Sequence, residues 1–176
     1  MGLTLVISDY RSRQILKRYK VTPVKPGLVL MAEVAMYVVY AVISLLSLFF
    51  VAACFFGFKM RGNFGMFLFG YLLVMISMFS IGMMVGGIAK NPKIAGVIAS
   101  ILYFPMLIFS GATLPYEVMP GSMQKIVDIL PLTQGIKILK NAVLGLPTDN
   151  VTGAVIFMLL IAVICGGIAV KFFRWE

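Results

Sequence analysis

Glu33 is the residue with the clearest capacity for chemistry, because it is the only acid inside a long apolar run from about Leu28 to Phe58. An ionisable group in such a run is a functional hypothesis by default. Its position near the basic end of the run also allows pairing with Lys25 or contact with lipid headgroups. The other reactive side chains are scattered. The chain has six acids and no histidine, and these form no paired carboxylates, His-rich metal site or activated nucleophile. Cys54 and Cys165 lie in separate apolar runs without a second soft ligand at metal-binding spacing, so they read as small buried hydrophobes rather than a zinc or redox site. The residues therefore predict no enzyme, no metal and no cofactor held by this chain.

The elements that must position these residues are membrane spans. With 61% hydrophobic residues, a mean hydropathy of +1.05 and only 12% charged residues, 176 residues cannot hide their apolar surface in a water-soluble core. A bilayer core of about 30 Å needs about 20 helical residues. Four runs meet that length, at 28–58, 64–88, 94–110 and 152–170, and predict an all-α integral membrane protein forming a single transmembrane domain. The net charge of +9 has a topological origin, since the basic residues flank the spans. Arg11, Arg13, Lys17, Arg18, Lys20, Lys25, Lys90, Lys93, Lys171 and Arg174 fall on one side, and Lys59, Arg61, Lys125, Lys137 and Lys140 on the other, ten against five of the fifteen. Both termini are therefore expected in the cytoplasm. No basic stripe is interleaved with exposed aromatics, so nucleic acid is not an expected partner. The short apolar piece Gly2 to Ile7 precedes the charged stretch, which is not the order of a cleavable signal.

Three segments outside the spans carry further information. Ser8 and Asp9 can cap a helix in which Ile15, Leu16 and Tyr19 fall on one side and Arg11, Lys17 and Arg18 elsewhere, predicting an amphipathic surface helix from Asp9 to Lys20. Thr22-Pro23 and Lys25-Pro26-Gly27 end it before the first span. The loop 111–151 has its own helical periodicity. Met123, Ile126, Val127 and Leu130 form one stripe after Pro120 and before Pro131, and Ile136, Leu139 and Val143 form a second ending at Gly145 and Pro147. Two short amphipathic helices are expected there, resting on or dipping into the membrane. The turn 89–93 joins the second and third spans. Within the second span, Gly82 and Gly86 form a G-x-x-x-G pair that permits close helix approach.

The segment Ser8-Asp9-Tyr10-Arg11-Ser12-Arg13-Gln14-Ile15-Leu16-Lys17-Arg18-Tyr19-Lys20-Val21-Thr22-Pro23 resembles the region ahead of the third span in type-two ATP-binding-cassette export permeases. In the long loop, Ser110-Gly111-Ala112-Thr113-Leu114-Pro115, Met119-Pro120 and Leu130-Pro131-Leu132-Thr133 are similar to that family's loop before its last span. The resemblance implies the last four of six spans, with Met1 to Ile7 looking like the end of the second. It implies short helices re-entering the outer leaflet at Gly111, Pro115, Pro120 and Pro131. It also implies that Asp9, Arg11, Arg13, Leu16, Lys17, Arg18, Tyr19, Thr22 and Pro23 couple to a separate ATPase subunit. ATP would bind that partner, and a second permease subunit, identical or different, would complete an export path in the inner membrane of a bacterium or archaeon. The alternative is a four-span scaffold or accessory subunit without transport activity. Under that reading the same cations bind only anionic lipid, at about 1 kcal/mol each near the surface.

Overall fold

A computed structural model describes residues 1–12, 26–58, 60–110, 120–145 and 151–172. These residues form α1 (Gly2–Ser12), α2 (Pro26–Phe56), α3 (Phe64–Ile88), α4 (Pro92–Phe109), α5 (Gly121–Val127), α6 (Pro131–Leu144) and α7 (Val151–Phe172). The chain is an all-α integral membrane protein in which α2, α3, α4 and α7 are long and apolar enough to cross a bilayer. Local chemistry sets the helix ends. The Asn63 side chain accepts from Gly65 N and Met66 N at the start of α3, and Asn91 accepts from Ile94 N at the start of α4, where Pro92 takes the first turn. Gly145, at φ +66°, ends α6 in the left-handed conformation that favours glycine.

Helices α3 and α7 form the centre. Ser77 lies between them with no exposed surface, its Oγ placed 2.8 Å from Leu73 O and 2.9 Å from Met158 O. Further along, a Cβ on Gly166 would sit 3.7 Å from Ser80 Oγ. Position numbers rise together on both helices, so α3 and α7 run parallel, as an even number of intervening connections across the bundle requires.

Helix α6 packs on both. Leu73, Ile138, Ala154 and Met158 make one buried cluster. A Cβ on Gly135 would meet Val74, one on Gly70 would meet Ile138, and one on Gly62 would meet Ala142. Helix α6 therefore runs antiparallel to α3, from the level of Val74, about 15 Å along α3 at 1.5 Å per residue, back to the α2–α3 linker. Its buried residues are Pro131, Thr133, Gly135, Ile138 and Ala142, one register away from the expected stripe of Ile136, Leu139 and Val143. Small residues occupy the closest contacts, and a reading based on large apolar side chains misses them.

Two further expectations are corrected. A helix beginning at a Ser8–Asp9 cap is replaced by one running through both residues from Gly2. Its buried face is Leu3, Thr4, Ile7 and Ser8, which joins the apolar and the charged pieces into one packed element. Thus 9–12, the start of the expected coupling segment 9–27, is the last turn of a bundle helix, while 13–25 lies outside the described residues. Pro131 also opens α6 at its first turn rather than merely ending α5.

Helix α2 is held loosely. Its most apolar stretch contains no buried residue. At the end where α2 begins and α3 finishes, the near end, Leu30 joins Leu3 and Ile7 in a cluster flanked by Val34, Tyr37, Phe79 and Met83. Toward the far end, Tyr71 Oη donates to Ala41 O at 2.8 Å, and Phe49 meets Phe67 edge-on with ring centroids 5.5 Å apart.

Candidate functional site

The near-end junction of α1, α2 and α3 starts from two glycines. Gly82 and Gly86 stand one turn apart on α3, facing α1. A Cβ on Gly82 would lie 3.2 Å from Thr4 Oγ1, and one on Gly86 would lie 2.9 Å from the Thr4 carbonyl oxygen and 3.1 Å from Ile7 Cβ. Backbone therefore rests on backbone, as small residues allow inside a membrane. This approach brings the last turn of α1 to the last turn of α3.

Two polar ties follow. Arg11 donates from its guanidinium to the carbonyl oxygen of Gly87, one of the final α3 carbonyls that lack an intrahelical partner, and places positive charge at the negative end of that helix. Arg11 thus reaches into the bundle, rather than standing clear of it as the sequence suggested. Tyr10 donates its hydroxyl to Glu33 Oε1. Glu33 is only 9% exposed, so this bond offsets part of the cost of a carboxyl group among apolar side chains. Ser8 is fully buried beside them, its Oγ without a hydrogen-bond partner. Through these ties the last turn of α1 is joined to both α2 and α3.

Sequence reasoning singled out Glu33, Gly82 and Gly86 without seeing that α1 is what joins them. Tyr10, 23 positions before Glu33, carries no periodic signal of the pairing. Asp9 is half-buried and engaged in an interaction. Arg13, Leu16, Lys17, Arg18, Tyr19, Thr22 and Pro23 lie outside the described residues.

A second assembly occupies the far half. Pro120 precedes α5, whose end turns through Asp128 and Ile129 into α6. Asp128 ties this turn down: Lys137 Nζ lies 2.6 Å from its Oδ1, and Gln134 Nε2 donates to its carbonyl oxygen at 2.6 Å. The C-terminal carbonyl of Val143 accepts from Arg61 N and Gly62 N at 3.2 and 3.1 Å, fastening α6 to the α2–α3 linker. Gly111 and Pro115 lie outside the described residues. Among the described residues, no three of His, Cys, Asp and Glu come together where they could hold a metal ion.

The sequence profile described as "ABC-2 type transporter" matches residues 1–144. Over 114 residues the chain is 31% identical to "Inner membrane transport permease YhhJ" of Escherichia coli (strain K12), a match covering 64% of this chain and 30% of that protein. It is 33% identical over 93 residues to "Nodulation protein J" of Rhizobium leguminosarum bv. viciae, covering 53% of this chain and 34% of that one. With the same-named protein of Neorhizobium galegae it shares 32% identity over 73 residues, covering 42% and 28%. The chain spans about a third of the length of the curated relatives it matches. No solved structure matches it.

Proposed function

We propose that this chain, which belongs to the ABC-2 type transporter family, is a membrane-spanning subunit of an ATP-driven export permease and takes its driving force from a separate ATPase. Membership makes it a membrane transport subunit. The observation that supports coupling is the pair of ties in the last turn of α1, Arg11 to Gly87 O and Tyr10 to Glu33. The basic segment 13–25 leaves from that turn and returns at α2, so a protein pushing on it would move the near ends of α2 and α3 together. The ATPase would bind at this basic side, ATP would bind the ATPase, and a second permease subunit would complete the path. This reading puts the near end and both termini in the cytoplasm and the α5–α6 hairpin in the outer leaflet of the inner membrane.

The test is charge reversal at Arg13 and Lys17 in the permease co-expressed with a candidate ABC ATPase subunit from the same organism. The reading expects the ATPase to be lost from the purified complex while the permease stays in the membrane fraction. Undiminished co-purification, or an impermeant thiol reagent labelling Arg13→Cys from outside the cell, would overturn it. The scaffold alternative gains if vesicles with the intact pair hydrolyse ATP yet move no solute.

A further inference from the structure

Helix α6 carries charge to a depth that hydrocarbon does not accept. Gly135 rests on Val74, about 15 Å along α3 at 1.5 Å per residue. Because α6 runs antiparallel to α3, Thr133 stands beside the middle of that span. Lys137, two residues after Gly135, lies only about 3 Å nearer the far end, inside a hydrocarbon layer about 30 Å thick. A lysine beside lipid extends its ammonium toward the headgroups. Lys137 does the opposite: its Nζ lies 2.6 Å from Oδ1 of Asp128, in the turn at the deeper end of α6. The pair is also open, with Asp128 39% and Lys137 22% exposed. Charges at such a depth face protein or a water-filled cavity.

The same side of α6 favours negative charge. Thr133, Lys137 and Lys140 succeed one another at four and three residues, well around the helix from the stripe of Pro131, Gly135, Ile138 and Ala142. Lys140 is exposed. Between Pro120 and Gly145 three lysines stand against one acid, Asp128. The N-terminus of α6 adds the positive end of its dipole at half depth, and Leu130 at the N-cap supplies no side-chain acceptor. Independently, Thr133 is 2% exposed and its Oγ1 has no hydrogen-bond partner, an unmet polar atom whose cost a bound group would remove. Helices that begin inside a membrane protein in this way suit anionic groups.

We propose that the Thr133–Lys137–Lys140 side of α6 borders a water-filled recess open to the far side, and that this recess takes an anionic group, a phosphate or a carboxylate, of the exported solute. Asp128 holds Lys137 in place while the recess is empty. The arriving group meets the Lys137 ammonium and, one turn deeper, the Thr133 hydroxyl at the start of α6, with Lys140 at the mouth. The assignment rests on the export reading above and adds the charge of the solute to it.

Ile136→Cys, made with Cys54→Ala and Cys165→Ala, puts a thiol three residues from Thr133 and four from Lys140. Right-side-out membrane vesicles holding the permease complex would be treated with two impermeant methanethiosulfonates, one bearing a sulfonate and one a trimethylammonium group. The expected result is modification of the thiol, with the sulfonate favoured several-fold relative to a free thiol in solution. That preference should vanish in Lys137→Met with Lys140→Met, and inorganic phosphate should slow the sulfonate reagent more than sodium chloride of equal ionic strength. No modification from either side of the membrane would mean lipid or packed protein and overturn the recess, leaving the permease assignment standing if the ATPase still co-purifies. Modification without charge preference would mean water without an anion site and overturn it as well. Modification only in inside-out vesicles would overturn both the recess and the orientation in the proposed function. In proteoliposomes, a block that appears only when phosphatidylglycerol is included would give the site to a lipid headgroup and overturn the solute assignment. Should Ile136→Cys fail to fold, the exposed Lys140→Cys replaces it, compared with and without Lys137→Met and read by the same outcomes.

Discussion

Gly62 and Ala142 touch backbone to backbone: a Cβ built on Gly62 would fall 2.0 Å from the Ala142 carbonyl oxygen and 2.8 Å from its carbon. That approach lets Arg61 N and Gly62 N both reach Val143 O, so one carbonyl at the end of α6 takes up two donors of the α2–α3 linker.

Gly62→Ala should therefore unfasten the linker from α6, since the obstacle is backbone and cannot rotate away. An ordinary hydrogen bond of this kind contributes about 0.5–1.5 kcal/mol net. A melting temperature several degrees lower in detergent is expected. Gly167→Ala, where nothing stands within 4 Å, should leave it unchanged, and equal behaviour of the two variants would disprove the contact.

The two glycines of α3 should rank unequally. Gly86→Ala meets a carbonyl oxygen at 2.9 Å, whereas Gly82→Ala meets a rotatable hydroxyl at 3.2 Å. Overpacking costs about 1–3 kcal/mol, and most of that should fall on Gly86. Thermal melts of both variants check the order; a larger loss at Gly82 would contradict the α1–α3 packing.

Tyr10 and Glu33 should prove energetically coupled. Tyr10→Phe leaves a mostly buried carboxyl group without its donor, and Glu33→Gln weakens the same bond. Bonds to charged groups contribute about 1.5–3 kcal/mol, so the double variant should lose clearly less stability than the two single losses predict. Strict additivity would show that the contact is idle.

Lys137→Met is expected to change little. Its partner Asp128 is 39% exposed and Lys137 itself 22%, and pairs open to solvent contribute about 0–1 kcal/mol. A melting temperature within about two degrees of wild type is the expected result; a drop of ten degrees would mean that this pair, more than the Gln134 bond to the Asp128 carbonyl, holds the α5–α6 turn.

How far the sequence could be read depended on the kind of force involved. Long uncharged runs must be helices in hydrocarbon because each backbone polar group needs an internal partner, so four spans, two loop helices and the isolation of Glu33 were legible from residue order alone. Pro92, Pro131 and Gly145 mark helix ends through their own backbone preferences, which no tertiary contact has to supply. Contacts between distant residues leave no such trace. That Gly62 faces Ala142, that Gly86 carries α1, that Tyr10 finds Glu33 and that Arg11 ends on Gly87 follows from how close two backbones come, a quantity set by packing in three dimensions. The charged segment from Ser8 onward read as a surface helix because local pattern records polarity; burial of Ser8 depends on other helices packing against α1, and only the assembled bundle decides that.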